Sequence, residues 1–211
     1  MTKHGKRLLP AALAALVLTG CAMPAPDSTT TRYKVAIVAK NDRESEFWDA
    51  VFTGAEAAAT EYNMQLTVSA PNNEENYEVQ NRLIAKAVED GAQAIVFSAI
   101  DYEENAAAID AAAAAGVTIV GIDSAVDSDH VAAYIGVDNY GAGQMAAQSA
   151  LDGMEGELHV GLINYEVNGA NGQEREQGAR DTFAASDRAD IIAAVSTHPN
   201  AKSARTDALA M

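Results

Sequence analysis

Strand-like and helix-like segments alternate along this chain from Tyr33 onward, and this alternation restricts the fold more than any other feature. The strand-like segments are short, nearly continuous apolar runs such as AQAIVFSAI. The segments between them have helical periodicity; in residues 45–62, for example, Trp48 and Phe52 fall on one apolar stripe. Strands that are apolar throughout are buried on both faces. The alternation therefore predicts an α/β fold in which parallel sheets carry helices on both faces.

The pattern predicts seven strands and six helices, the last helix beginning close to the end of the sequence. In folds of this kind, ligands bind beyond the carboxyl ends of the strands, in the loops that lead into helices. Two acidic residues follow strands directly, Asp123 in IVGIDSA and Asp138 in IGVDN. An aspartate at such a place often caps a helix or forms a turn. Both also fall at the edge where a ligand is expected.

The sequence lacks the residues that several classes of function require. The first strand-to-helix loop, AKNDRESEF, contains no glycine, which disfavours the close backbone approach to a dinucleotide pyrophosphate. No histidine or cysteine has metal-ligand spacing, and no nucleophile stands beside a base. A net charge of −16, from 14 basic and 30 acidic residues, argues against nucleic acid. We therefore expect that the protein is not an enzyme and that it binds no cofactor, metal or nucleic acid.

The first residues have the pattern of a secretory signal. A basic start is followed by the apolar stretch from Leu8 to Leu18, which is shorter than the roughly 20 residues that span a bilayer. The chain's one cysteine ends this segment in Leu18-Thr19-Gly20-Cys21, which resembles the lipobox of bacterial lipoproteins. We expect residues 1–21 to be a lipoprotein signal peptide and Cys21 to be lipidated. Residues 22–32, rich in Pro, Ser and Thr, predict a flexible tether.

Several segments in their order resemble the periplasmic sugar-binding proteins of the ribose-binding type, which are substrate receptors of ABC importers. The segments that carry the likeness are AIVAKNDRESEFWDAVFTGAEAAA, AIVFSAID, AAAAAGVTIVGIDS, IGVDNYGAGQMAA and EREQGARDTF. The resemblance implies a two-lobe type I periplasmic binding protein fold. Residues 33–137 would form the amino-terminal lobe and residues 138–211 part of the carboxyl-terminal lobe. We expect the second lobe to be incomplete in this chain, as in a fragment or truncated product.

The resemblance also implies how a sugar would be held. Phe47 and Trp48 match the aromatic pair that stacks on the sugar ring, although the helical stripe also permits a core role for Trp48. Asp123 matches the aspartate that accepts hydrogen bonds from ring hydroxyls. Arg175 matches an arginine of the second lobe that reaches into the cleft. Asp138 matches the hinge crossing between the lobes, where it would shape the cleft floor.

The sequence departs from the family pattern in three places. Ser45 and Glu46 stand where Asn-Pro is usual, Ser124 replaces a second arginine, and Gln173 replaces the first arginine of an Arg-x-Arg motif. The changes remove two cations from the cleft and bear on which sugar is preferred. Ser45 and Ser124 are expected ligand-binding residues, together with those carried over from the family.

The expected function is that of a monomeric, lipid-anchored receptor in the cell envelope. It would bind a small sugar between its lobes, close about a hinge and deliver the sugar to an ABC permease in the membrane. No reaction is catalysed. Two alternatives share the same sequence features, namely a receptor for signalling or chemotaxis and a receptor for a polyol, nucleoside or autoinducer.

Overall fold

A computed structural model describes residues 31–165, 168–197 and 201–211. The predicted signal peptide, Cys21 and nearly all of the tether lie outside these residues. The first eight elements are β1 (Lys34–Val38), α1 (Glu46–Glu61), β2 (Gln65–Ser69), α2 (Tyr77–Glu89), β3 (Ala94–Phe97), α3 (Ala106–Ala114), β4 (Thr118–Ile122) and β5 (Val131–Ile135). They are followed by α4 (Asn139–Gly153), β6 (Leu158–Tyr165), α5 (Ala170–Ala184), β7 (Ala189–Thr197) and α6 (Ala201–Ala210). Within the described ranges, no helix is both long and apolar enough to cross a bilayer.

The strands form two sheets, and the predicted α/β architecture is confirmed. The first sheet has the order β2-β1-β3-β4-β5, and every neighbouring pair is parallel. The second consists of β6 and β7, also parallel. Because the strands of each sheet run in one direction, their carboxyl ends meet at one edge. That edge positions the loops which enter α1, α2 and α3.

Helices cover the first sheet from both sides. On one side α2 and α3 pack over Val38, Ile95 and Ile119. On the other side Trp48 and Phe52 of α1 pack over alternate residues of the same strands, including Ile37 and Val96. This burial on both faces explains why the strands read as continuous apolar runs rather than as alternating ones.

The second sheet is also flanked on both faces. Leu151 of α4 and Phe183 of α5 pack against one face of β6 and β7. The opposite face carries Gly161, against which the side chain of Met211 approaches from the end of α6. Both strands alternate half-buried and exposed residues, which shows that the α6 face is covered less completely.

A buried glutamine fixes the strand ends where a site is expected. Gln80, on α2, is completely buried and donates from Nε2 to the carbonyl oxygens of Ala39 and Ser98, both at 2.9 Å. Its Oε1 accepts from the amide of Ile100 at 3.1 Å. One amide side chain thus satisfies three backbone groups just beyond β1 and β3 and holds their loops in place.

Candidate functional site

Polar side chains gather at the carboxyl edge of the first sheet. Lys40 follows β1, Ser98 follows β3 and Asp123 follows β4, each within two residues of the end of its strand. Parallel pairing brings these three positions to the same edge, as the strand-end rule predicts for Asp123.

Asp123 adopts a backbone conformation that residues other than glycine rarely adopt. Its φ is 57°, in the left-handed region, which costs a non-glycine residue about 1 kcal/mol or more unless its surroundings hold it. Two contacts to β5 hold it: the Asp123 amide donates to the carbonyl of Ile135 at 3.0 Å, and the Tyr134 hydroxyl donates to the Asp123 carbonyl at 2.5 Å. Strain maintained in this way at a strand end is typical of a functional position.

The Tyr134 hydroxyl is well suited to that task. Burial raises the pKa of its phenol, and the carboxylates of Asp123 and Glu174 raise this pKa further, whereas Lys40 lowers it. The phenol therefore remains protonated through neutral pH and continues to donate its hydrogen bond to the Asp123 carbonyl.

The Asp123 carboxylate is the centre of a polar network. Its Oδ2 accepts from the Ser98 hydroxyl at 3.0 Å and lies 3.5 Å from the Lys40 ammonium. Its Oδ1 accepts from the Asn171 side-chain amide at 3.1 Å. The side chain is one quarter exposed, so solvent reaches the carboxylate in spite of these partners.

Lys40 is a buried cation between two carboxylates. Its side chain is 4% exposed, and its Nζ lies 3.7 Å from Glu74 Oε2 in addition to its contact with Asp123. A buried ammonium needs such partners because removal from water is costly. Lys40 therefore holds both carboxylates in position.

The two aromatic residues at the start of α1 have different environments. Trp48 is 1% exposed, packs beside Phe52, and donates from Nε1 to Glu74 Oε1 at 3.1 Å. Phe47 is 55% exposed and meets the Trp48 ring edge to face, with 5.1 Å between centroids. Phe47 is thus available to a ligand, whereas Trp48 occupies the core position that its helical stripe allows.

The remaining expected residues lie in several places. Ser45 is the half-buried N-cap of α1 and makes no side-chain capping hydrogen bond. Ser124 is 1% exposed, next to Asp123, and its hydroxyl has no hydrogen-bond partner among the described residues. Asp138 caps α4 by accepting from the Gly141 amide at 2.8 Å. Asp138 therefore has the helix-capping role that an aspartate at a strand end often takes.

Arg175 lies on the second sheet's side. It is exposed on α5 and lines a cavity of about 290 Å³ between α4, α5 and β6, together with Asn164 and Glu176. In the described part of the chain, no hydrogen bond or ion pair joins Arg175 to Asp123. The two residues expected to hold a sugar from opposite sides are therefore not in contact in this arrangement.

Five residues of this network were not singled out from the sequence: Lys40, Glu74, Gln80, Ser98 and Asn171. Lys40 and Ser98 follow strands and could have been found by the rule that identified Asp123. The other three lie in loops or helices, and no local pattern marks them.

Another cavity, of about 330 Å³, lies between β1, β2 and α2. Its cations are already engaged, since Lys86 pairs with Asp90 at 2.8 Å and Lys34 donates to the Asp90 carbonyl at 3.0 Å. The strained backbone of Asp123 and the polar network around its carboxylate make the carboxyl edge the stronger candidate site.

Known proteins share this architecture. A family model described as periplasmic binding protein domain matches residues 35–211. A D-ribose/D-allose-binding protein of Pseudomonas aeruginosa is 25% identical in an alignment 184 residues long, and the alignment covers 81% of this chain and 57% of that protein.

Two solved structures show the fold at a TM-score of 0.78. One is the periplasmic component of an ABC-type sugar transport system from Hahella chejuensis, 24% identical, with 83% of this chain and 65% of that chain covered. The other is a carbohydrate transporter solute-binding protein from Agrobacterium radiobacter in complex with D-arabinose, 23% identical, with 86% and 64% covered.

The chain thus spans between 57% and 65% of the length of these three relatives. By their descriptions all three are binding or transport proteins rather than enzymes, in agreement with the prediction from the sequence. The match of the family model extends over most of the chain and includes both sheets. The chain belongs to the periplasmic binding protein domain family.

Proposed function

We propose that this chain belongs to the substrate-binding component of an ABC importer and binds a small sugar at the carboxyl edge of its first sheet. The observation that carries the proposal is Asp123, whose backbone is held in the left-handed region at this edge and whose carboxylate remains one quarter exposed. The relatives described as binding ribose, allose or arabinose support a sugar as the ligand.

The chemistry of the edge suits a neutral, polyhydroxylated molecule. An ionised carboxylate accepts strong hydrogen bonds from hydroxyl groups, and the exposed ring of Phe47 offers an apolar face to the C–H face of a sugar. Arg175 would supply donors from the second sheet's side once the two sides approach. Binding then favours the closed arrangement because only that arrangement lets one ligand contact both sides.

The proposal extends to the cell envelope. The family is one of periplasmic proteins, and we infer that residues 1–21 direct export and that lipidated Cys21 anchors the protein. Both features lie outside the described residues. Delivery of the sugar to a membrane permease by a monomeric receptor completes the proposed role.

A titration with monosaccharides tests the function directly. Trp48 is the one tryptophan of the chain and lies within hydrogen-bond distance of Glu74, which is part of the network around Asp123. We expect one sugar to change the Trp48 emission saturably and to raise the melting temperature, since a ligand that binds the folded state stabilises it. Both effects should disappear in Asp123→Ala and Arg175→Ala. A response to polyols, nucleosides or autoinducers in place of sugars would contradict the substrate class and leave the fold unaffected.

Substitution of Phe47 separates the roles of the two aromatics. Phe47→Ala should weaken sugar binding by about fivefold, because a stacking contact contributes about 1 kcal/mol. The free energy of unfolding should change by about 1 kcal/mol or less, since the ring is 55% exposed. Trp48→Ala should instead lower the free energy of unfolding by about 3 to 5 kcal/mol, as expected for a large buried aromatic.

Tyr62→Ala is the matched control for Phe47→Ala. Tyr62 is an aromatic residue at the other end of α1 and is 69% exposed. Its removal should change neither binding nor stability appreciably. Equal sugar affinity in Phe47→Ala and Tyr62→Ala would exclude Phe47 from the site. Binding and stability are measured by calorimetric titration and denaturant unfolding.

A further inference from the structure

Asn171 links the first sheet to the helices of the second. It is the second residue of α5 and is 4% exposed. Its Nδ2 donates to Asp123 Oδ1 at 3.1 Å, and its Oδ1 accepts from Asn139 Nδ2 of α4 at 3.0 Å. A single buried amide thus joins the candidate ligand-binding carboxylate to two helices beyond the first sheet.

The hydrogen bond from Asn171 occupies Oδ1 of the Asp123 carboxylate. The other oxygen, Oδ2, is taken from within the first sheet by Ser98 and Lys40. Among the described residues, Oδ1 is the oxygen that is bonded from the opposite side. A ligand hydroxyl that approaches Asp123 between the two sides therefore meets Oδ1 already bonded to Asn171.

The network around this link is not fully satisfied. The Asn139 Oδ1 and the Ser124 hydroxyl are buried, and neither has a hydrogen-bond partner among the described residues. Buried polar atoms without partners are uncommon because they lose hydration and gain nothing in return. Two such atoms therefore belong to residues next to those that form the hydrogen bond between Asn171 and Asp123. A ligand with hydroxyl groups could give these atoms the partners that they lack.

We infer that Asn171 is an internal competitor of the ligand. Its amide takes the place on Asp123 Oδ1 that a ligand hydroxyl takes when bound, and it holds the ligand-free protein partly closed. The inference rests on the proposed function for the identity of the site. It makes Asn171 a positioning residue that lowers the apparent affinity, because the fraction of molecules competent to bind is reduced by the internal bond.

Two readouts test this inference on the chain carrying Cys21→Ser. Spin labels at Glu44→Cys, in the loop after β1, and Gln177→Cys, on α5, report the separation of the two sides without any ligand. Both positions are exposed. Asn171→Ala should lengthen the mean distance between the labels. Asn171→Asp, which places a second carboxylate against Asp123, should lengthen it further.

Ser98→Ala is the matched control. It removes a hydrogen bond to the same carboxylate, but from within the first sheet, so the distance between the labels should stay as in the parent chain. For the sugar identified by titration, Asn171→Ala should bind three- to tenfold more tightly than the parent. If Asn171→Ala does not fold, Asn171→Ser carries the same expectation, because serine cannot span the distance to Asp123.

An unchanged distance between the labels in the folded Asn171 variants would overturn the inference. A longer distance with unchanged or weaker sugar binding would also overturn it, since Asn171 would then not compete with the ligand. If no compound binds the parent chain, the proposed function fails, and the distance alone decides whether Asn171 holds the two sides together.

Discussion

Replacement of Asp123 by asparagine is expected to weaken binding of the sugar by about 30- to 150-fold. A hydrogen bond to an ionised group contributes about 2 to 3 kcal/mol, which corresponds to that range of affinity. Asparagine has nearly the shape of aspartate and tolerates the left-handed backbone conformation found at this position. The loss therefore measures the charge of the carboxylate rather than a change of the loop.

The same substitution is expected to lower stability by about 1 to 2 kcal/mol. Lys40 loses Asp123 as a carboxylate partner and keeps Glu74, at 3.7 Å. Removing every partner of a buried charge would cost about 3 to 5 kcal/mol, so the remaining pair limits the effect. Binding must accordingly be measured well below the midpoint of thermal unfolding, where the variant is folded.

Asp90→Asn provides the control for Asp123→Asn. It also neutralises an aspartate that pairs with a lysine, Lys86, but it lies on the exposed end of α2. Its sugar affinity should equal that of the parent chain. Sugar binding by the parent chain, Asp123→Asn and Asp90→Asn is measured by calorimetric titration. Unaltered sugar binding in Asp123→Asn would show that Asp123 is not part of the site and would contradict the proposal that the sugar binds at the carboxyl edge.

Much of this architecture could be predicted from the sequence because burial leaves a pattern in it. Strands covered on both faces must be apolar throughout, and α1 shows its apolar stripe at helical spacing. Asp123 could be found because it follows a strand directly. Its left-handed conformation could not, since it depends on Tyr134 and Ile135 of the neighbouring strand.

The polar network was harder to predict because its members are distant in sequence. Gln80 lies 41 residues from Ala39, and Asn171 lies 48 residues from Asp123, yet each pair is hydrogen-bonded. On α2 the side chains with the lowest exposure are those of Gln80 and Ile84. A glutamine on a buried face departs from the simple apolar pattern. Its presence is explained by the three backbone groups with which its side chain forms hydrogen bonds.

Two glycines set how closely α4 and α5 approach each other. A Cβ at Gly143 would come closer than 3.0 Å to the carbonyl oxygen of Arg175, and a Cβ at Gly178 would come equally close to that of Tyr140. Both contacts are with the backbone of the facing helix, so no side chain can move aside. We expect Gly143→Ala and Gly178→Ala each to lower the free energy of unfolding by about 3 kcal/mol, at the upper end of the usual cost of overpacking.

Gly153→Ala is the control on the same helix. Apart from its chain neighbours and its own helix backbone, no atom of the described residues lies within 4 Å of a Cβ at that position. Alanine is also the better helix former, so stability should be unchanged or slightly higher. Denaturant unfolding of the three variants distinguishes close helix contact from a general effect of removing glycine. Equal stability of Gly143→Ala and Gly153→Ala would show that the helices can separate at little cost.

The substitution of Gly143 should also change the geometry of the candidate site. Asn139 begins α4 and Asn171 lies in the first turn of α5, and their side chains are hydrogen-bonded at 3.0 Å across the helix pair. If an added methyl group at Gly143 pushes the helices apart, this bond lengthens and Asn171 loses its position against Asp123. The spin-label distance between residues 44 and 177 should therefore increase in Gly143→Ala and stay constant in Gly153→Ala. A packing defect between two helices would thus appear as an opening at the carboxyl edge of the first sheet.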